Sequence, residues 1–209
     1  MKTIKKYFPS LTDKDYLKLE ELGQLLGEYN QKVNVISRKD IDNVFQHHIL
    51  HSLTILKWFD FKPYTSILDL GTGGGLPGLP IAIIKPDCFF HLIDARRKKL
   101  EIVEEIVSHL KLKNVKITHT RSEDLQTKYH FVISRAVTNL PNLWQLSMNL
   151  INNKTHLNSY PNGLICLKGG NLQPEIKTLP KGIYIETNKI TSKIKEPYFE
   201  DKYVVYVQK

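Results

Sequence analysis

Cysteine is nearly missing from this chain: two occur in 209 residues, Cys88 and Cys166, both inside apolar runs and with no metal-ligand spacing. Their scarcity excludes a disulfide framework and a cysteine-based zinc site, and it predicts buried, reduced thiols in a cytoplasmic protein. Long apolar runs are missing too. Stretches such as Leu79 to Ile84 fall far short of the ~20 residues that cross a bilayer. Lys2, Lys5 and Lys6 could open a signal peptide, but Thr12-Asp13-Lys14-Asp15 stands where its apolar segment belongs, so neither secretion nor membrane insertion is expected. Internal repeats and low-complexity tracts are absent. Arginine is scarce, five residues against 25 lysines, which makes an arginine at a strand end worth noting.

What is present describes a globular chain: 41% hydrophobic and 24% charged residues. A chain this long buries about 70% of its unfolded surface and needs no staples to fold. The formal net charge is +9. Residues 1–63 carry ten positive and eight negative charges and residues 64–209 twenty and thirteen, so +7 lies on the later part. Such a surplus suits a polyanionic partner.

The first 63 residues read as helical. Leu17, Leu19, Leu22, Leu25, Leu26 and Tyr29 recur at helical spacing behind a candidate N-cap, Thr12. A second helix is expected over about 40–59, with Val44, Phe45, Ile49, Ser52, Leu53, Ile55 and Leu56 inward. Past Pro63 the pattern changes. Apolar runs at 66–70, 89–94, 115–118, 131–134 and 164–167 read as strands, with helices to about 85 and over about 97–110 and 143–151. Segments 183–190 and 203–207 read as a closing antiparallel pair. Continuous apolar strands alternating with helices predict a parallel sheet covered on both faces, with ligands beyond its carboxyl ends. The expected organisation is a helical extension over 1–63 and one compact α/β unit over 64–209.

The first strand runs into Asp69-Leu70-Gly71-Thr72-Gly73-Gly74-Gly75-Leu76-Pro77-Gly78, and Asp94 ends the second. Glycines there let the chain turn sharply and let a ligand approach the backbone, and an acid at the second strand tip suits ribose hydroxyls. Gly73, Gly75 and Gly78 fit the dinucleotide pattern. Asp69, Gly71, Gly73 and Gly75 fit the pattern of S-adenosylmethionine-dependent methyltransferases. A carboxylate at the strand tip would repel a pyrophosphate and favour a sulfonium and an ammonium, which selects the second pattern.

Gly71-Thr72-Gly73-Gly74-Gly75-Leu76-Pro77-Gly78 resembles the signature of the bacterial small-subunit ribosomal RNA guanine-N7 methyltransferases, the RsmG or glucose-inhibited division protein B family. Tyr29-Asn30 through Asn34-Val35-Ile36-Ser37, His48-Ile49-Leu50, Ile133-Ser134-Arg135-Ala136 and Leu167-Lys168-Gly169 match it in order. The resemblance implies a Rossmann-like methyltransferase sheet, mostly parallel with a C-terminal antiparallel strand pair, behind a helical N-terminal extension. It implies S-adenosylmethionine as cofactor, held by Gly71, Leu76, Ser122, Glu123 and Arg135, to which the reading of the loop and strand tips adds Asp69, Thr72, Gly73, Gly75 and Asp94. Arg135 would position the reactants and Asp69 would act electrostatically. Small-subunit ribosomal RNA, or the small ribosomal subunit itself, would be the partner of a monomeric protein, with His48, Arg121 and Lys168 as candidate RNA contacts. From the residues alone, Glu123 reads equally as a helix cap and Arg135 as one half of an ion pair. The family's Arg-His-Ile-Leu-Asp-Ser is replaced by His47-His48-Ile49-Leu50-His51-Ser52, which leaves three histidines together without a nearby Cys, Asp or Glu to complete a metal set. His47 is expected in solvent and His48 on the inner face. A small-molecule methyltransferase and a non-catalytic RNA-binding assembly factor are the alternatives. The family segments oppose the first and the intact loop opposes the second.

Overall fold

The computed structural model describes residues 1–37 and 40–209. Seven strands form one sheet in the order β3-β2-β1-β4-β5-β7-β6. They are β1 (Ser66–Leu70), β2 (Phe89–Asp94), β3 (Val115–His119), β4 (Phe131–Arg135), β5 (Gly163–Gly169), β6 (Tyr184–Lys189) and β7 (Lys202–Gln208). The first five are parallel, and β7 lies antiparallel between β5 and β6. The register sets Leu70 beside Ile93, Asp94 beside His119, and Arg135 beside Leu167. The sequence-predicted functional positions thus share one edge of the sheet.

Alternation along β1 sends Ile67 into one core, beneath the N-terminal helices, and Leu68 and Leu70 into another on the opposite face. The first face is covered by α4 (Gly78–Ile84), α5 (Arg97–His109) and the N-terminal helices α1 (Lys2–Tyr7) and α2 (Asp13–Asn30). Leu19, Leu22 and Leu26 of α2 share that core with Leu79 and Ile81 of α4, so residues 1–63 and the sheet bury one continuous apolar surface. The expected cap at Thr12 is made. Its hydroxyl accepts from Asp15 N at 3.2 Å while its own N–H donates to Asp15 Oδ2 at 2.9 Å. Leu17, expected inward, is instead 60% exposed on the outer face of α2.

The single helix expected over 40–59 is a composite. A 3-10 turn (Ile41–Asn43) leads into a π-helical stretch (Val44–Leu50), then a short α-helical piece, α3 (His51–Leu53), and a second 3-10 turn (Thr54–Lys57). The second face of the sheet is covered in part by α6 (Leu140–Ser147) and the short α7 (Gln173–Lys177). Helix α6 starts three residues before its expected position because Asn139 caps it, accepting from Asn142 N at 3.0 Å, and Pro141 occupies its first turn. Cys88 and Cys166 are buried and unpaired. Among the described residues no helix is long and apolar enough to cross a membrane.

Candidate active site

The glycine loop is tied down at both strand tips. Thr72 N donates to Ile93 O at 2.9 Å, and Gly73 N donates to Asp94 Oδ2 at 2.9 Å. The other oxygen of Asp94 accepts from Arg96 N at 2.8 Å, so this carboxylate orders the turns after both β1 and β2. Gly73 has φ +58, and a Cβ there would find nothing nearer than Lys99 Nζ at 3.9 Å, so its free side faces open space. That is the geometry of a backbone cradle.

The open space is a cavity of about 500 Å³ beyond the carboxyl ends of β1, β2 and β4, lined by residues that include Gly71, Thr72, Gly73, Leu76, Asp94, Ser122, Glu123 and Arg135. Each of these was expected there. The Glu123 carboxylate accepts from the Ser122 hydroxyl at 2.7 Å, and that bond holds it below the usual carboxylate range. Arg121, expected at an RNA surface, lies on this same cavity, because the chain turns back toward β2 after β3.

Two expected residues lie behind the loop and not in the cavity. Gly75 points its Cα side at α4, where a Cβ would meet Leu79 Cδ1 at 2.3 Å. Asp69 is fully buried on the α4 face, and its Oδ2 accepts from Thr72 Oγ1 at 2.6 Å and from Gly78 N at 2.8 Å. A Cβ on Gly78 would lie 2.6 Å from that same oxygen, so a glycine is needed for α4 to start against the acid. Burial pushes the Asp69 carboxyl up to about 7, opposed by those two hydrogen bonds and by Arg135. Asp69 therefore orders the loop from behind and does not line the cavity. The cavity wall also carries Arg96 and Lys99, so its charge alone does not choose between an anionic pyrophosphate and a sulfonium. Gly74, Val35 and Val137 also line the cavity; the first two lie in segments that the sequence singles out, and Val137 carries no such signal.

A second cavity, of about 340 Å³, adjoins the first across Arg135 and Ala136, which line both. His48, His51, Lys168, Tyr198 and Lys202 complete most of its wall. His47 is not solvated. Its Nδ1 lies 2.5 Å from Asp40 Oδ1, and its ring stacks on Tyr198 with centroids 3.6 Å apart. His48 Nε2 lies 2.8 Å from the other oxygen of Asp40, and burial together with nearby Arg135 lowers its pKa to about 4, so the ring is neutral. Among the described residues no three His, Cys, Asp or Glu side chains gather as a metal set. Lys168 pairs with Glu175 at 2.8 Å and donates to Thr138 O at 3.0 Å, which makes it chiefly a brace at the end of β5.

A glycine turn after β1, an acid at the tip of β2 and a seven-stranded sheet with its antiparallel strand between β5 and β6 define a Rossmann-like methyltransferase. A precorrin-6y C5,15-methyltransferase from Geobacter metallireducens shares this fold, with a TM-score of 0.56 at 11% identity over 85% of this chain and 92% of that one. Sequence is more specific. The profile of the family described as GidB, rRNA small subunit methyltransferase G, matches residues 15–196. The ribosomal RNA small subunit methyltransferase G of Porphyromonas gingivalis is 46% identical over 204 residues, covering 98% of this chain and 91% of that protein. That of Bacteroides thetaiotaomicron is 44% identical over 208 residues, covering the whole of both. The chain belongs to the rRNA small subunit methyltransferase G family.

Proposed function

We propose that this protein transfers a methyl group from S-adenosylmethionine to N7 of a guanine in small-subunit ribosomal RNA, acting as a cytoplasmic monomer. The observation that carries this reading is that Arg135 and Ala136 form the wall between two cavities at one sheet edge. The first suits the cofactor. In this reading Asp94 takes the ribose hydroxyls, the open side of Gly73 takes the chain that carries the amino acid group, and Ser122–Glu123 take the adenine edge; that all four line one cavity supports it. When bound there, S-adenosylmethionine supplies a methyl group activated on a sulfonium. The second cavity is left for the nucleotide. Both are built from one chain.

N7 of guanine carries an in-plane lone pair and no proton, so the protein's task is to hold that nitrogen in line with the methyl group, and no residue need remove a proton. The Hoogsteen edge is closed off in the deep groove of A-form RNA, so the target must be unpaired or drawn out of its stack. Arg135 is the positioning residue: its guanidinium offers a rigid fork that a lysine cannot copy.

The test is radiolabelled methyl transfer to small subunits lacking the modification, followed by mapping of the labelled base. Label at N7 of one guanine is expected, and label on a small molecule only would overturn the reading. Arg135→Lys should lose most turnover with a smaller loss of cofactor affinity. Near-normal turnover would reduce Arg135 to a counter-ion.

A further inference from the structure

The cofactor does not account for the second cavity's charge. Its wall holds three cations, Arg135, Lys168 and Lys202, with His48 and His51, and no carboxylate. Lys168 is neutralised by Glu175. Lys202 touches Asp201 at 3.0 Å, but that aspartate is 65% exposed and the contact is correspondingly weak. Among the described residues no carboxylate pairs with Arg135, whose hydrogen bond is a long one, Nη1 to His47 O at 3.4 Å. A partly buried guanidinium thus keeps most of its five donors unspent. Beside it, His51 is buried with neither ring nitrogen in good hydrogen-bond geometry, the His47 backbone being its one weak partner. Such groups are costly to bury unless a ligand completes them.

We propose that this cavity receives a phosphate group of the target nucleotide, gripped by the Arg135 guanidinium, with Lys202 and His51 as further donors. The proposal rests on the methyltransferase reading above and adds to it which part of the substrate Arg135 holds. Two points favour the phosphate over the base. A guanidinium fork matches phosphate oxygens bidentately. Methylation of N7 also places positive charge on the purine, which a cation at the base edge would oppose, whereas a cation on the phosphate faces an anion before and after transfer. Burial and the nearby Arg135 and Lys202 charges keep His51 neutral, so it has one N–H to give.

The full-length protein, with and without S-adenosylmethionine, is titrated with inorganic phosphate, guanosine monophosphate and guanosine by calorimetry and thermal shift. The monophosphate should bind about tenfold or more tightly than guanosine. Arg135→Met should abolish that advantage, and its melting temperature should be unchanged or higher, because a poorly paired cation has been removed. Lys202→Glu replaces a cation of the wall by a carboxylate and should weaken phosphate binding while leaving cofactor affinity intact. It carries the test should Arg135→Met fail to fold. Equal affinity for guanosine and its monophosphate overturns the proposal. So does phosphate binding retained in Arg135→Met, above all if that variant also melts lower. Free and RNA-borne phosphate are told apart by kinetics. Inorganic phosphate should raise KM for small subunits without lowering kcat, and an unchanged KM at saturating phosphate overturns the assignment to the nucleotide. A wild-type protein that binds phosphate but not S-adenosylmethionine would sink the methyltransferase reading and leave the anion site standing.

Discussion

Asp69 shows how a residue in a ligand motif can serve the ligand at one remove. Both of its hydrogen bonds fall on Oδ2, and Oδ1 has no partner. An amide oxygen can take both bonds, so Asp69→Asn should fold normally and keep cofactor affinity within a few-fold. Asp69→Ala leaves the Gly78 N–H and Thr72 hydroxyl without an acceptor and should cost about 1–3 kcal/mol. The pH dependence has a definite sign. The carboxyl is raised from 3.8 to about 7 in the folded chain. The stability linked to its protonated form is therefore fully present below the unfolded value and is lost as pH rises toward 7. Urea unfolding at pH 5 and pH 8 should show Asp69→Asn gaining on the wild type at the higher pH, and an equal difference at both would mean that the carboxyl does not titrate in this window. Asp94 is the complementary case, since it orders the loop from the cavity side. Asp94→Ala should lose roughly 1.5–3 kcal/mol of S-adenosylmethionine binding through the loop bond and the ribose together. A calorimetric change under a few tenths would remove Asp94 from the site.

Among the elements, the composite helix over Ile41–Lys57 departs furthest from what its sequence suggests. Most of the inward residues are legible there, with Val44, Ile49, Ser52, Leu53 and Ile55 all buried, because periodicity reports which side faces the core. Periodicity does not report which carbonyl each N–H meets, and π winding is decided by what the helix packs on. Here α2 brings Gly23 against the Phe45 ring, where a Cβ would lie 2.5 Å from Cε1. Gly23→Val should destabilise the protein by roughly 1–3 kcal/mol despite the better helix propensity of valine, and a gain in urea midpoint would show that the ring can yield. The same contrast runs through the site. The parallel strands were legible because burial on both faces writes them as apolar runs, and the loop because its positive-φ turns favour glycine. The second cavity was legible only in part: the resemblance points to Arg135, His48 and Lys168, while Tyr198 and Lys202 come from separate stretches that only the fold brings beside them.

At the scale of the whole molecule, residues 1–63 and the sheet share one core, so we propose that they unfold together. A single calorimetric transition is the expected result, and two would separate the N-terminal extension from the rest. The remaining question is what the +9 charge does. Much of it is on lysines with flexible stems, which suits contact with phosphates of many positions more than recognition of any one base. Each neutralised phosphate releases a condensed counterion, so affinity for RNA should fall steeply with salt, by tenfold or more between about 50 and 200 mM if several phosphates are touched. S-adenosylmethionine meets the protein through a few local charges and backbone groups, and screening at those short distances changes little. KM for small subunits should therefore climb with salt while the Kd for S-adenosylmethionine stays within a few-fold. Parallel changes in the two would mean that the basic surplus serves solubility and that the RNA is held by the cavity residues alone.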